Sequence, residues 1–223
     1  LGMVFSFFVL FRLVLPLILL GYSPVWSAIG GCVLIIPATF YLSHGVKHKT
    51  SVAILGTLVT LVLTGVMAYI FAHLGNLTGL ADEAASFLKS DTGDRIDFQG
   101  LLLAGILISM LGVLDDVSVS QAAIVQELEG AKKNISFVEL YRRTMTVGKD
   151  HIASMVNTLV LVYAGASIPL LLLFIDHSHT FYEVLNYEFV AEEIIQTLVA
   201  SIGLILTVPV TTFIACIWHR KSA

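Results

Sequence analysis

Charge is scarce in this chain. Of 223 residues only 13% are Asp, Glu, Lys or Arg, about half the share in a soluble domain. That shortage excludes an ordinary solvated surface. With Lys and Arg at 12 against Asp and Glu at 16, it also argues against a basic face interleaved with aromatics for nucleic acid. Cysteine is nearly absent as well. Cys32 and Cys216 lie inside apolar runs and have no metal-ligand spacing, so they read as small buried hydrophobes rather than a disulfide or zinc site. No phosphate loop and no nucleophile elbow occurs anywhere in the chain. Neither an enzyme nor a cofactor is expected.

What is present is apolar. Some 57% of residues are hydrophobic, and the mean hydropathy is +0.91, which marks a membrane protein. A helix needs about 20 apolar residues to cross the hydrocarbon. Six segments qualify: 1 to 20, 25 to 42, 51 to 74, 100 to 125, 152 to 175 and 193 to 218. The expectation is one all-α, six-span transmembrane domain over 1–223. It has a polar insert outside the membrane at 76–99 and an amphipathic connection at 130–150, between the fourth and fifth spans. The first two spans, joined by "GYSP", should form an antiparallel hairpin. No basic region precedes the first run and no small-residue cleavage site follows it, so it is read as a span and not a signal peptide. The start at Leu1 without methionine suggests that upstream sequence has been removed.

Loop charge sets the expected orientation. Lys47 and Lys49, then Lys132, Lys133, Arg142, Arg143 and Lys149, then Arg220 and Lys221 all fall on one face. The other face is mainly acidic. The positive-inside rule makes the first face cytoplasmic, with both ends of the chain on it. Within the cytoplasmic connection, Ser136 and Glu139 have capping-box spacing, and Phe137, Leu140, Tyr141 and Met145 form one stripe. A helix there would either lie on the lipid surface or dock on the ends of the bundle.

The fourth span holds the unusual residues. In "LISMLGVLDDVSVSQAAIVQELE", Asp115 and Asp116 interrupt an apolar run, about 3 to 5 Å past the bilayer centre. An ionised carboxylate there costs at least about 2.5 to 3.5 kcal/mol, so it should face the bundle or a hydrated cavity. Neighbouring helical residues point about 100° apart, so the two cannot form a dyad by themselves, although both can border one polar sector. Ser118 and Ser120 extend that sector; Ser109, Gly112, Asp116 and Ser120 form a second row. One reading is a proton or cation relay. The other is a structural cluster that orients helices. Protease chemistry would need a second central carboxylate from another span, and "DDVSV" lacks the third aspartate of diphosphate-binding transferases.

Other spans offer partners. Arg12 in "FFVLFRLVLP" either pairs with Asp115 or Asp116, snorkels to the interface, or sits in an altered first span. Asn157 and Thr158 on the fifth span, and Gln196, Thr197 and Ser201 on the sixth, either face the pair or join helices by hydrogen bonds. Pro209 should free a backbone carbonyl in the sixth span. "IDHSH", with Asp176, His177 and His179, has ligand types but no fixed third histidine, so no metal site is assigned. Expected partners are membrane lipids and either another protein or a second copy of the chain, with no nucleic acid.

Several stretches carry a resemblance. "PLILLGYSP", "LSHGVKHKTSVAILGT", "LAGILISMLGVLDDVSVSQAAIVQEL", "MTVGKDHIASMVNTLVLVYAGASIPLLLLF" and "EFVAEEIIQTLVASIGLILTVPVTT" together resemble the YibE/F-like family of bacterial multi-pass membrane proteins. The resemblance implies a bacterial plasma-membrane location and, upstream, a further span and an extracytoplasmic region. More distantly, the fourth span looks like the fourth helix of resistance-nodulation-division transporters and of SecD/SecF. That similarity implies a proton relay at Asp115 and Asp116, with Glu127 as an acidic residue near its cytoplasmic end. Six spans would be half of such a transporter. Here, however, only "GYSP" joins the first two spans, where those transporters insert a large external domain. The expected function is a proton- or cation-coupled transporter; the alternative is a membrane scaffold or assembly factor that transports nothing and whose polar cluster only fixes helix packing.

Overall fold

A computed structural model describes residues 1–132, 135–175 and 180–222, and among these every regular element is a helix. Five helices are long and apolar enough to cross a membrane: Gly2–Leu19, Pro24–His44, His48–Leu74, Phe98–Ala131 and Glu188–Trp218. They correspond to the first four and the last of the expected spans.

The first span is not uniform. It comprises α1 (Gly2–Val9), a π-helical turn at Leu10–Val14 and α2 (Leu15–Leu19). Pro16 has no N–H for the carbonyl of Arg12, four residues back, and the widened turn is where the helix adjusts. After the "GYSP" turn, where Gly21 takes φ +90°, α3 (Pro24–His44) runs back along the first span. A β-carbon at Gly31 would meet Val14, and one at Gly2 would meet Ser43 and Thr39, which is the register of an antiparallel hairpin.

α4 (His48–Leu74), α6 (Phe98–Ala131) and α10 (Glu188–Ser222) form the centre of the bundle, each packed on the other two. α3 packs on α6, the first span packs on α3, and α7 (Phe137–Ala166) packs on α10. Cys32 and Cys216 are buried free thiols. α10 runs on through Pro209 as one helix, so the expected break there amounts at most to the lost N–H donor.

The segment between α4 and α6 folds into α5 (Glu83–Thr92) and a short 3-10 turn at Gly93–Arg95. Asp82 caps α5 through Ala84 N, and Asp97 caps α6 through Gly100 N at 3.0 Å. The Glu188 carboxylate accepts hydrogen bonds from Thr78 N, Thr78 Oγ1 and Gly79 N. This insert is therefore fastened to the start of α10.

The connection expected as a separate amphipathic helix is instead the first half of α7. Nothing breaks the helix near residue 150, because Gly148 is held in the core. The break comes at Ser167, two residues before Pro169, and α8 (Ile168–Ile175) continues beyond it. The apolar run expected as a fifth span is thus divided between α7 and α8. A short α9 (Phe181–Leu185), with a Thr180–Glu183 capping box, leads into α10. The "DHSH" residues lie outside the described residues.

Ser136 caps α7 through Glu139 N, as its spacing predicts, but the Glu139 side chain turns to Lys132 and Arg143, at 2.8 and 2.7 Å. These contacts, led by the Lys132 hydrogen bond, hold the Glu139 carboxyl below its ordinary value. A depressed carboxylate pKa stabilises the fold above the ordinary carboxylate range, and that contribution is lost as pH falls through the folded value. Glu139→Gln is therefore expected to speed hydrogen exchange at the α6–α7 turn without altering the bundle. The start of α7 should loosen in the same way when the wild type is acidified, which protection factors, corrected for the intrinsic pH dependence of amide exchange, check across a pH series.

Candidate functional site: a hydroxyl-lined seam beside Asp115

The two aspartates separate as helical geometry requires. Asp115 is half-buried, and its Oδ1 is wholly buried with no hydrogen-bond partner in the protein. Asp116 is exposed, in line with the exposed Gly105, Ser109 and Gly112. They do not share one sector. The row of Ser109, Gly112 and Asp116 is exposed, about half a turn round α6 from the core residue Leu114.

One helical turn beyond Asp115, Ser118 is fully buried and lies 3.4 Å from the hydroxyl of Thr211 on α10. A seam of small polar side chains continues from there. α4 contributes Thr50, Thr57, Thr60 and Thr64, and α10 contributes Ser201, Thr207, Thr211 and Thr212. Thr60, Thr64, Thr207 and Thr212 donate to carbonyls of their own helices, the usual refuge of a buried hydroxyl in a helix. The hydroxyls of Thr50, Thr57, Thr144 and Ser201 have no partner in the protein.

Glycines make the seam narrow. A β-carbon at Gly56 of α4 would lie 2.3 Å from Thr211 Oγ1 of α10, and one at Gly203 of α10 would lie 2.5 Å from Thr64 Cγ2 of α4. These two reciprocal glycine–threonine contacts fix α4 and α10 as close antiparallel neighbours.

Gln121 stands at the end of the seam with no exposed surface. Its amide donates to Thr212 Oγ1 at 2.7 Å and to the Thr144 carbonyl at 3.3 Å, joining α6, α10 and α7. Gly148 makes room for it, since a β-carbon there would sit 2.9 Å from Gln121 Nε2. Sequence reasoning passed over Gln121 because it lies near the expected end of the span. A signal was nevertheless present, because Gln121 continues the Leu114, Val117 and Ser118 core stripe at helical spacing. The α4 threonines, also on one face, were likewise legible and unused.

The remaining candidates lie apart from Asp115. Arg12, Glu127 and Asn157 are exposed, and Ser120 is half-buried. Arg12 forms no ion pair among the described residues, so it does not meet the aspartates within the chain. Gln196 lies within 3.5 Å of both Ser109 on α6 and Tyr163 on α7, an arrangement that ties three helices and does not reach Asp115. Among the described residues no group of three His, Cys, Asp or Glu could hold a metal.

The match to known families rests on the whole of this bundle. A family model described as YibE/F-like protein matches residues 1–221. The chain belongs to the YibE/F-like family. No curated protein and no solved structure matches it. For this YibE/F-like chain the family assignment covers the helices described above, all but the last residue of α10, with the aspartate pair and the seam included.

Proposed function

We propose that this chain is a proton- or cation-coupled transporter of the bacterial plasma membrane in which Asp115 is the exchanging group. One observation carries the reading. A carboxylate in the middle of an apolar span turns one oxygen, buried and without a partner, into the packed interior, on the same helical face as Ser118. A buried carboxylate oxygen lacking a donor favours a proton or a cation. The adjoining hydroxyls can donate and accept in turn, which is what passing a proton along a low-dielectric path requires.

In this reading the chain crosses the membrane six times, with α7 and α8 together as an interrupted fifth span. The lysine- and arginine-rich face is cytoplasmic, and both ends of the chain lie on it. Asp116, on the outer side of α6, assists from a different direction and does not act as the second half of a dyad. Lipids are partners, nucleic acid is not, and the chain is no enzyme. The distant likeness of the fourth span to resistance-nodulation-division and SecD/SecF helices supports the relay as analogy only.

A second reading has its own observation. The reciprocal glycine–threonine contacts and the Gln121 bridge are features of a rigid packing device, which favours a scaffold that transports nothing. Proton flux in proteoliposomes separates the two. Asp115→Asn should insert normally and lose coupled flux at least tenfold, with a smaller loss for Asp116→Asn. Unchanged flux in both variants would remove the relay. Loss of insertion instead of flux would favour the scaffold.

A further inference from the structure

Two ionisable side chains of opposite sign stand on the outside of membrane-spanning helices. Arg12 is exposed on the π-helical turn of the first span, and Asp116 is exposed on α6. Neither forms an ion pair among the described residues. A charge at such a depth is costly and calls for a partner of opposite sign.

Their depths can be compared through the packing. Pro24 at the start of α3 lies against Gly100 at the start of α6, and Val14 lies against Gly31. Counted from the Pro24–Gly100 level, Arg12 is about 14 Å and Asp116 about 24 Å into the bundle. The first span and α6 run in opposite directions. Helical side chains lean toward the N-terminus of their own helix, so Arg12 leans deeper and Asp116 leans back. The long arginine and the aspartate close the gap between them.

They cannot meet within one chain. α3 stands between the first span and α6, and Asp116 is exposed. We propose that a second copy of this chain supplies the partner: Arg12 of one copy pairs with Asp116 of the next. The surfaces beside the two charges fit one another. Phe8, Phe11 and Leu15 are exposed beside Arg12 at 61%, 61% and 41%. Gly105 and Gly112 are exposed beside Asp116, and a β-carbon added at either would find nothing within 4 Å. An aromatic ridge thus faces a row of small residues, Gly105, Ser109 and Gly112, of which Ser109 is already held by Gln196 of α10. The contact joins different patches of two copies, so it is a head-to-tail interface. It requires the bundle to lie in a membrane but not to transport anything, so it stands or falls separately from the relay.

The test is cross-linking in native membranes between two differently tagged full-length chains, both carrying Cys32→Ser and Cys216→Ser. One carries Phe8→Cys and the other Gly112→Cys, positions about 20 and 18 Å into the bundle on the same scale. A short bis-maleimide should give a mixed-tag dimer from the pair, and neither chain alone should give one. Arg12→Leu or Asp116→Leu on the partnering copy should lower the yield at least fivefold, and the swapped pair Arg12→Asp with Asp116→Arg should restore it. No mixed-tag product from normally inserted chains would overturn the proposal, as would a yield unchanged by either leucine variant. If Asp116→Leu fails to insert, Arg12→Leu asks the same question from the other side of the contact.

Discussion

Gly56→Val is expected to force α4 and α10 apart and to be among the most destabilising single changes in the bundle. Even the first added carbon would lie 2.3 Å from Thr211 Oγ1, 3.0 Å from its Cβ and 3.1 Å from its Cγ2. Three atoms of one side chain block the position. Rotation about χ1 could carry its hydroxyl and methyl aside, but its Cβ is fixed by the backbone and stays 3.0 Å from the added carbon in every rotamer. The strain passes to the backbone, and overpacking of this kind costs about 1 to 3 kcal/mol. Valine, larger than the single carbon that already clashes, belongs at the upper end. The apparent Tm of the detergent-solubilised protein should fall by several degrees. Thr211→Gly in the same chain should recover part of the loss, because it removes all the atoms in conflict. Gly30→Ala is the control: a β-carbon there meets nothing within 4 Å, and because alanine is the better helix former its Tm should hold or rise slightly. An equal fall in both would mean that the α4–α10 contact is not the cause.

The second large effect concerns Gln121. Q121E keeps the size of the side chain but exchanges its NH2 donor for an oxygen, and the two groups that the amide serves respond differently. Thr212 Oγ1 can rotate to donate, but it already donates to the Val208 carbonyl at 2.6 Å. The Thr144 carbonyl at 3.3 Å can only accept. A carboxylate at a position with no exposure would face that carbonyl with no cation beside it, at a cost of about 3 kcal/mol or more. The variant should be poorly stable at neutral pH and recover on acidification, when a neutral carboxyl regains an O–H donor. Gln121→Leu leaves both partners with their helical bonds and should be far milder. A melting series of the three proteins across pH checks this. Equal instability of both variants at every pH would show that shape, and not the donor, is what the site requires.

Both predictions concern positions that sequence reasoning did not select, and the reason is physical. Apolar length and loop charge are properties of single segments, so the spans at 1 to 20, 25 to 42, 51 to 74, 100 to 125 and 193 to 218 could be read one at a time. The interruption at Ser167 follows from Pro169, also a local feature, but the apolar run on either side of it hid the break. The joining of residues 137–166 into one helix was not legible, because Gly148 looks like a helix breaker until Gln121 and Val208 are seen packed against it. The aspartate pair was legible as an anomaly. Its division into an inward Asp115 and an outward Asp116 needed the position of the core around α6.

The sequence by itself determined that this is a helical membrane protein with a carboxylate pair deep in its fourth apolar segment, because hydrophobic length and helical periodicity are encoded residue by residue. Only the tertiary structure decided which threonines line the seam, which glycines admit them and which aspartate faces inward. Those outcomes depend on how three helices meet, and contacts between segments far apart in the chain leave no mark in the composition of any one of them.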